Sequence, residues 1–372
     1  MTKKINLRAI LTAGCFLIIL FGFAIMNLVT TPPKISKSER RPLKTMPEFS
    51  VKSVVAGKFM NEFEDYAADS FVFREELRTL RAFTVFHVMR QTDKSGLYYG
   101  NSGAGKFEPI NETEFRRFCA KILTMAQRYE KLNVYYSIIS DKSIYAGHYL
   151  PGYDPKLANA ILSEELAKLT SVDISSVLTG EDFYRSDLHW DQSRLLPVVS
   201  FLSKQMGFEY SLDDLILKDA GVFEGVWTEQ LALPIPKDRM KFFVPKGVDE
   251  KKLTAKYLTE RGAIEERLIY DPAEFDSGDP YSFFLRGPQP VIWLDGQNPT
   301  SDKTLYIFRD SYTSSLAPLL AFGGGYSEVV LIDLRYIDSR ILDQYVEFKD
   351  GSDVLFLHGS QLMNNSTVLK VH

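Results

Sequence analysis

The chain has 372 residues, 45% of them hydrophobic and 13% aromatic, which supplies a packed core and excludes disorder as the default state. Its 44 basic and 48 acidic side chains give a net charge of −4, so no basic face dominates and nucleic acid is excluded as the main partner. The two cysteines, Cys15 and Cys119, make no disulfide framework because Cys15 sits in an apolar stretch; such cysteine avoidance suits an exported protein.

The N-terminal "MTKKINLR" carries Lys3, Lys4 and Arg8, and is followed by 21 uncharged residues from Ala9 to Val29. At 1.5 Å per residue this run spans roughly 30 Å, the thickness of a bilayer core. The basic flank keeps the N-terminus in the cytoplasm and sends the rest outward. A cleaved signal peptide needs a shorter apolar core and a small-residue cleavage site. Lipidation of Cys15 in "TAGC" needs the apolar run before the cysteine, whereas most of it lies after. The expectation is an uncleaved single-pass membrane anchor over residues 1–30, with the bulk of the chain outside the cytoplasm.

Residues 31–48 hold four prolines and many charges and read, with the residues up to 57, as a linker or stalk. Apolar positions then recur at three and four, giving an amphipathic helix pair from about Lys58 to Arg90. "GLYYGNSGAGK" reads as a short strand and a glycine turn. "ETEFRRFCAKILTMAQRYEKL" is a helix, "NVYYSIIS" a buried strand, "DPKLANAILSEELAKLT" a helix and "SVDIS" a short strand. Residues 191–206 read as a helix. Residues 208–300 are mixed and turn-rich, with β pieces at "MKFFVP" and "PVIWLDG", and are expected to form an insertion or cap. The last third alternates: strand "KTLYIF", helix "SYTSSLAPLLAF", strand "SEVVLIDL", helix "DSRILDQYVEF", strand "DVLFLH". That alternation implies parallel pairing with right-handed crossovers, so residues 58–372 are expected to be an α/β domain.

In open α/β sheets reactive groups sit at the carboxyl end of a strand, where a helix begins. Ser311, directly after "LYIFRD", has that position, where its N–H is free and the helix dipole favours negative charge. Both features suit an oxyanion hole. The competing reading is that Asp310 or Ser311 only caps the helix. A serine also needs a base. "FYRSDLHWDQS" offers Asp187 and His189, two apart and on one side of an extended turn. A carboxylate there holds one ring N–H and leaves the other nitrogen free. The alternatives are a satisfied polar turn, or a metal site of Asp187, His189 and Asp191, which without a second histidine is weak for zinc. Of the five histidines, His87 is on a helix, His148 in a loop, His372 terminal, and His358 at a strand end is the one rival base.

At these residues the sequence resembles the DHHW family, whose motif is matched by Asp187, Leu188, His189 and Trp190. "ERRPLKTMPEFS", "FEDYAADSFVFRE", "SGLYYG", "FRDSYTSSLAPLLA" and "EVVLIDLRYI" extend the resemblance from about residue 39 to near the C-terminus. That family is similar to the alginate O-acetylation proteins, with a fold like that of SGNH hydrolases: a flavodoxin-like parallel sheet covered by helices on both faces. The resemblance implies Ser311 as nucleophile, His189 as base and Asp187 as its orienter, in an order reversed from ordinary SGNH enzymes. It departs from the family at Leu188, which replaces a histidine, and at Arg309, which replaces the glycine before Asp-Ser. Gly287 and Gln289 are candidates for the second oxyanion donor. Tyr312, Arg335, Tyr336 and Arg309 are candidates to contact substrate, and Lys142, at a place where the relatives carry a similar lysine, is a candidate to meet an anionic polymer.

The implied activity is O-acyl transfer, with acetyl as the acyl group, onto a cell-surface or exported polysaccharide, or the corresponding ester hydrolysis. No cofactor and no metal is required. A multi-pass membrane acyltransferase is the implied supplier of the donor. The competing class is a polysaccharide-binding or assembly protein that keeps the fold without turnover, for which Arg309 and the lack of a clear second oxyanion donor are the arguments.

Overall fold

Alternation of apolar side chains along the C-terminal strands is what assembles this protein. The computed structural model describes residues 7–372 except 37, 38, 40, 148–151, 276 and 277, with backbone alone at Leu7 and Ala9. Lys3, Lys4 and His148 therefore lie outside the described residues. The chain divides into two units, Met1–Gln91 with Glu229–Leu233, and Thr92–Thr228 with Pro234–His372.

In the second unit eight strands form one sheet: β1 (Asn133–Ile139), β2 (Thr170–Ser171), β3 (Thr254–Leu258), β4 (Ile264–Leu268), β5 (Val291–Asp295), β6 (Thr304–Arg309), β7 (Glu328–Ile332) and β8 (Asp353–Gly359). Their spatial order is β4-β3-β5-β7-β6-β8-β1-β2. The strands from β7 to β2 are parallel; β5, β3 and β4 pair antiparallel. Leu305 and Ile307 of β6, Val329 and Leu331 of β7, and Leu355 and Leu357 of β8 face one core. Tyr306 and Phe308, Val330 and Ile332, and Val354 and Phe356 face the other. Both faces are thus buried, which is why these strands read as continuous apolar runs. Helices α1 (Glu112–Arg128) and α2 (Pro155–Glu165) cover the second face; α3 (Leu196–Met206) and α4 (Thr313–Phe322) cover the first.

Two expectations need correction. The segment 208–300 is not only a cap: it contributes β3, β4 and β5, so the sheet is mixed rather than parallel throughout. Only the eight residues 296–303 link β5 to β6, too few for a parallel crossover. The hairpin Leu215–Phe223 with Asp238–Pro245 does lie over a face, packing Met240 and Val244 into the core shared with α3. Likewise "DSRILDQYVEF" is not a helix, apart from one tight turn at Leu342–Gln344. Buried Ile337 just before this segment and its own buried Leu342 and Val346 are five and four apart, off a single helical face. Asp338 also accepts from the Arg340 N–H at 2.9 Å, a local bond that competes with helix.

β6 leaves through α4 toward β7 on one side, while β1 leaves through α2 toward β2 on the other, with β8 between them. The carboxyl ends of β6 and β8 therefore meet where the strand order reverses, the usual crevice for a site in such sheets.

In the first unit the N-terminal helix Leu7–Val29 includes Ile10–Val29, long and apolar enough to cross a membrane. The expected helix pair is present as Lys58–Ser70 and Arg74–Phe83, continued by a wider π turn at Thr84–Val88. The segment expected as a stalk is tied down at Arg41, whose guanidinium donates to both Asp69 oxygens at 2.7 and 2.6 Å.

Candidate active site

Ser311 sits in the turn between β6 and α4. Asp310 builds that turn, accepting from the Tyr312 N–H at 3.1 Å through one oxygen and from the Gly359 N–H at the end of β8 through the other. Among the described residues the Ser311 N–H donates to nothing, and it points from the start of a ten-residue helix.

His189 reaches the serine from a short loop closed by an antiparallel bridge between Phe183 and Trp190. Asp187 shapes the loop from inside: one carboxylate oxygen accepts from the His189 N–H at 3.0 Å and lies 2.7 Å from His189 Nδ1. The spacing of two residues makes both contacts local. His189 Nε2 is 2.8 Å from Ser311 Oγ, across 122 positions of sequence. Because Nδ1–H faces a carboxylate, Nε2 is the nitrogen left to accept the hydroxyl proton. Burial alone raises the Asp187 carboxyl, but the His189 charge, its two N–H groups and the Val226 N–H outweigh this and hold it well below the usual carboxylate range.

Several residues behind this chain of bonds are invisible to motif reading. The Tyr281 ring stacks on the His189 imidazole, with centroids 3.7 Å apart and planes at 3°, and its hydroxyl bonds Ser315 Oγ at 2.8 Å. Asp238 accepts from the Arg185 and Ser186 N–H groups at 2.9 and 2.7 Å. At Gly225 a Cβ would lie 2.4 Å from the Ser186 carbonyl and 2.5 Å from Asp187 Cβ, so a glycine lets this segment press against the loop. These partners are 38 to 92 residues from the loop residues they touch, with no local spacing to reveal them. Trp190 Nε1 donates to the Tyr312 carbonyl at 2.8 Å, and the Tyr312 hydroxyl to the Leu188 carbonyl at 3.0 Å. The motif tryptophan and the residue after the serine thus clasp the two loops together.

Ser311 opens into a cleft of about 400 Å³ lined by Leu188, Tyr312, Arg335, Tyr336, Gln361 and Asn365, among others. Of the residues expected to contact substrate, Tyr312, Arg335 and Tyr336 line it. Arg335 is held rigidly by Asp333, through Nε at 2.9 Å and the terminal nitrogen at 2.6 Å.

The others do not line it. Arg309 is fully buried, donating to Ser314 Oγ at 2.6 Å and the Gly287 carbonyl at 3.2 Å; it fills the place behind the turn and leaves Ser311 unobstructed. Lys142 is buried too, its ammonium bonding the carbonyls of Tyr184 at 2.9 Å and of Asp187. It supports the histidine loop from beneath and cannot meet a polymer, and burial pushes it down to about 8 against the pull of Asp187, Asp141 and Asp238. The Gly287 N–H is taken by the Phe284 carbonyl at 3.3 Å, and Gln289 donates to the Arg286 carbonyl at 3.3 Å. Neither lines the cleft, which instead offers the Gln361 and Asn365 amides. His358 is no rival base: it packs on Phe118, and burial pushes its imidazole down to about 3. Asp191 is occupied in capping the next turn, accepting from the Ser193 N–H at 2.9 Å. With both His189 nitrogens already engaged, the set Asp187, His189 and Asp191 does not converge on a metal.

No protein-family model and no curated protein matches the sequence. Solved structures do. The chain superposes on Bacillus cereus PatB1 carrying a sulfonyl adduct with a TM-score of 0.57 at 13% identity, over 72% of this chain and 95% of that one. It superposes on a DHHW family protein from Eubacterium siraeum with a TM-score of 0.56 at 17% identity, over 74% of this chain and 92% of that one. Looser superpositions, with TM-scores of 0.38 and 0.36, are on the O-acetyltransferase domain of Pseudomonas putida AlgJ and on Pseudomonas aeruginosa AlgX. What the chain shares with PatB1 and the DHHW protein is the fold.

Proposed function

We propose that the protein is an O-acyltransferase of the cell surface, carrying acetyl groups to hydroxyls of an exported or surface polysaccharide. The observation that carries this reading is the unbroken chain from Asp187 through His189 to Ser311, at 2.7 and 2.8 Å, opening into the cleft. Ser311 Oγ attacks the donor's acyl carbon as its proton passes to His189 Nε2, and Asp187 stabilises the imidazolium formed. The tetrahedral oxyanion takes the free Ser311 N–H. Collapse expels the donor alcohol with the proton from Nε2 and leaves an acyl ester on Ser311. A sugar hydroxyl then gives its proton to the same nitrogen and attacks the ester; collapse returns that proton to Ser311. Water in place of the sugar makes the enzyme an esterase.

The long apolar helix at residues 10–29 supports a single-pass anchor, and the basic N-terminal flank supports an extracytoplasmic catalytic unit. The acyl donor then has to arrive from across the membrane, the task of a multi-pass acyltransferase partner. The sulfonyl adduct of PatB1 supports a nucleophile in this fold that accepts such reagents. The full-length chain in detergent, beside Ser311→Ala and His189→Ala, tests the reading with a serine-directed fluorophosphonate and with p-nitrophenyl acetate. Labelling and ester cleavage are expected in the wild type and absent in both variants. Equal behaviour of all three proteins, with retained glycan binding, sinks it in favour of a binding module.

A further inference from the structure

The helix Arg74–Phe83 is folded inside out for a soluble protein. Its Leu77 and Leu80 are three apart, hence on one face, and are 40% and 60% exposed; Phe73, which caps the helix, is 47% exposed. Ala82, on the opposite side, is fully buried. The protected side is ionic: Arg74, Arg78 and Asp69 side chains are 16%, 17% and 7% exposed, and Arg74 bonds Glu39 at 2.7 Å. A helix in water turns its apolar stripe to the core and its charges out. This one turns Arg74 and Arg78 in and leaves its apolar stripe out, beside exposed Glu75, Glu76 and Arg81, so the stripe itself is suited to an apolar surrounding.

The level at which this face begins is fixed by the N-terminal helix. The Phe23 ring stacks on Phe71 at 5.6 Å and meets Phe73 edge-on at 6.4 Å. Asn27 Oδ1 accepts from the Val72 N–H at 2.8 Å. Phe23 is six residues before Val29, about 9 Å below the end of the apolar helix. The corner Phe71–Phe73 is therefore beside the last turns of that helix, within the 5–10 Å depth to which interfacial helices sink. Exposed Arg81 flanks the stripe, where an arginine stem follows apolar surface and its head reaches lipid phosphates.

We propose that the Phe71–Phe73 corner and the Phe73–Leu77–Leu80 stripe lie in the lipid–water interface, as a second, in-plane membrane contact beside the anchor. The inference rests on the reading of the N-terminal helix as a span. The bilayer is the occupant because the stripe is continuous with aromatic residues already seated on that helix.

The test uses the full-length chain in phosphatidylcholine–phosphatidylglycerol vesicles containing lipid brominated near the headgroup end of its acyl chains. Tryptophan is introduced singly as Leu80→Trp, as Thr79→Trp off the stripe, and as Phe21→Trp within the span; the parent's own emission is subtracted. Bromolipid is expected to remove at least about half of the added emission at position 80 and little at 79. Quenching at 21 without quenching at 80 overturns the proposal while leaving the anchor intact, and assigns the stripe to a protein partner. Absence of quenching at both overturns the anchor and the proposal together.

Discussion

Replacing Asp187 by asparagine removes one charge and one atom's acceptor role while keeping the shape, so its cost can be worked from the bonds. One Asp187 oxygen serves both His189 N–H groups; the other accepts from the Val226 N–H at 3.2 Å. An asparagine that keeps its carbonyl toward His189 sets its NH₂ against Val226, leaving a buried donor unpaired. Turned the other way it satisfies Val226, sets NH₂ against His189, and drives the ring to the tautomer with Nε2 protonated, which cannot accept from Ser311. The first orientation leaves an unsatisfied group, about 1–3 kcal/mol of stability, in the ground and transition states alike; at the transition state it also loses a charge-assisted bond to the imidazolium, about 1.5–3 kcal/mol. Only the second loss enters the barrier, a rate loss of about 10–10². The assay is the rate of fluorophosphonate labelling of the full-length chain, with a denaturant midpoint showing that the variant is folded. The pH dependence carries a sign. The folded Asp187 carboxyl lies below its unfolded value, so its contribution to stability is whole above the ordinary carboxylate range and is lost as pH falls from that range through the lowered folded value. The stability gap between wild type and Asp187→Asn is thus expected to be full at neutral pH and to close in acid. Labelling within a factor of about three of wild type, in a folded variant, would refute the role given to this carboxylate.

Lys142→Met tests the support beneath the histidine loop. The folded ammonium loses its proton at about 8 instead of 10.5, so the wild type carries a charge-burial penalty of about 3 kcal/mol below pH 8 that disappears as pH rises toward 10.5. Denaturation at pH 7, 9 and 10.5 should therefore show wild type gaining on Lys142→Met with rising pH; a gap that does not move contradicts the buried ammonium. Arg335→Ala leaves Asp333, fully buried, with the backbone N–H of position 335 at 3.1 Å and the field of buried Arg309 but no directly paired cation, and should cost about 3 kcal/mol in a denaturant titration. Arg335→Lys, which restores charge but not the two-point geometry, should recover part of that loss; an unchanged midpoint in Arg335→Ala would show the pair to be dispensable.

What the sequence disclosed and what it hid follow from distance along the chain. Asp187 and His189 were legible because an aspartate reaches the N–H two residues on without help from the rest of the fold. Ser311 was legible because a strand running into a helix fixes where the next residue lies. Their meeting at 2.8 Å was not, since it depends on a switch in strand order that only the assembled sheet provides. Gly225 and Tyr281 were hidden for the same reason: one is needed for what presses on it, the other for what lies beneath its ring. Lys142 and Arg309 lie at strand ends, as their sequence positions indicate, but both side chains turn inward. A long cation after a strand is as able to turn inward as outward when backbone carbonyls or a hydroxyl await it. The helix Arg74–Phe83 carries the same ambiguity: its period marks an apolar face but not which way the face points. In the folded unit, the Arg41–Asp69–Arg74 cluster claims the interior, so the apolar stripe is left outside. The pattern that normally builds a core then becomes, beside Phe23 of the anchor, a surface for lipid.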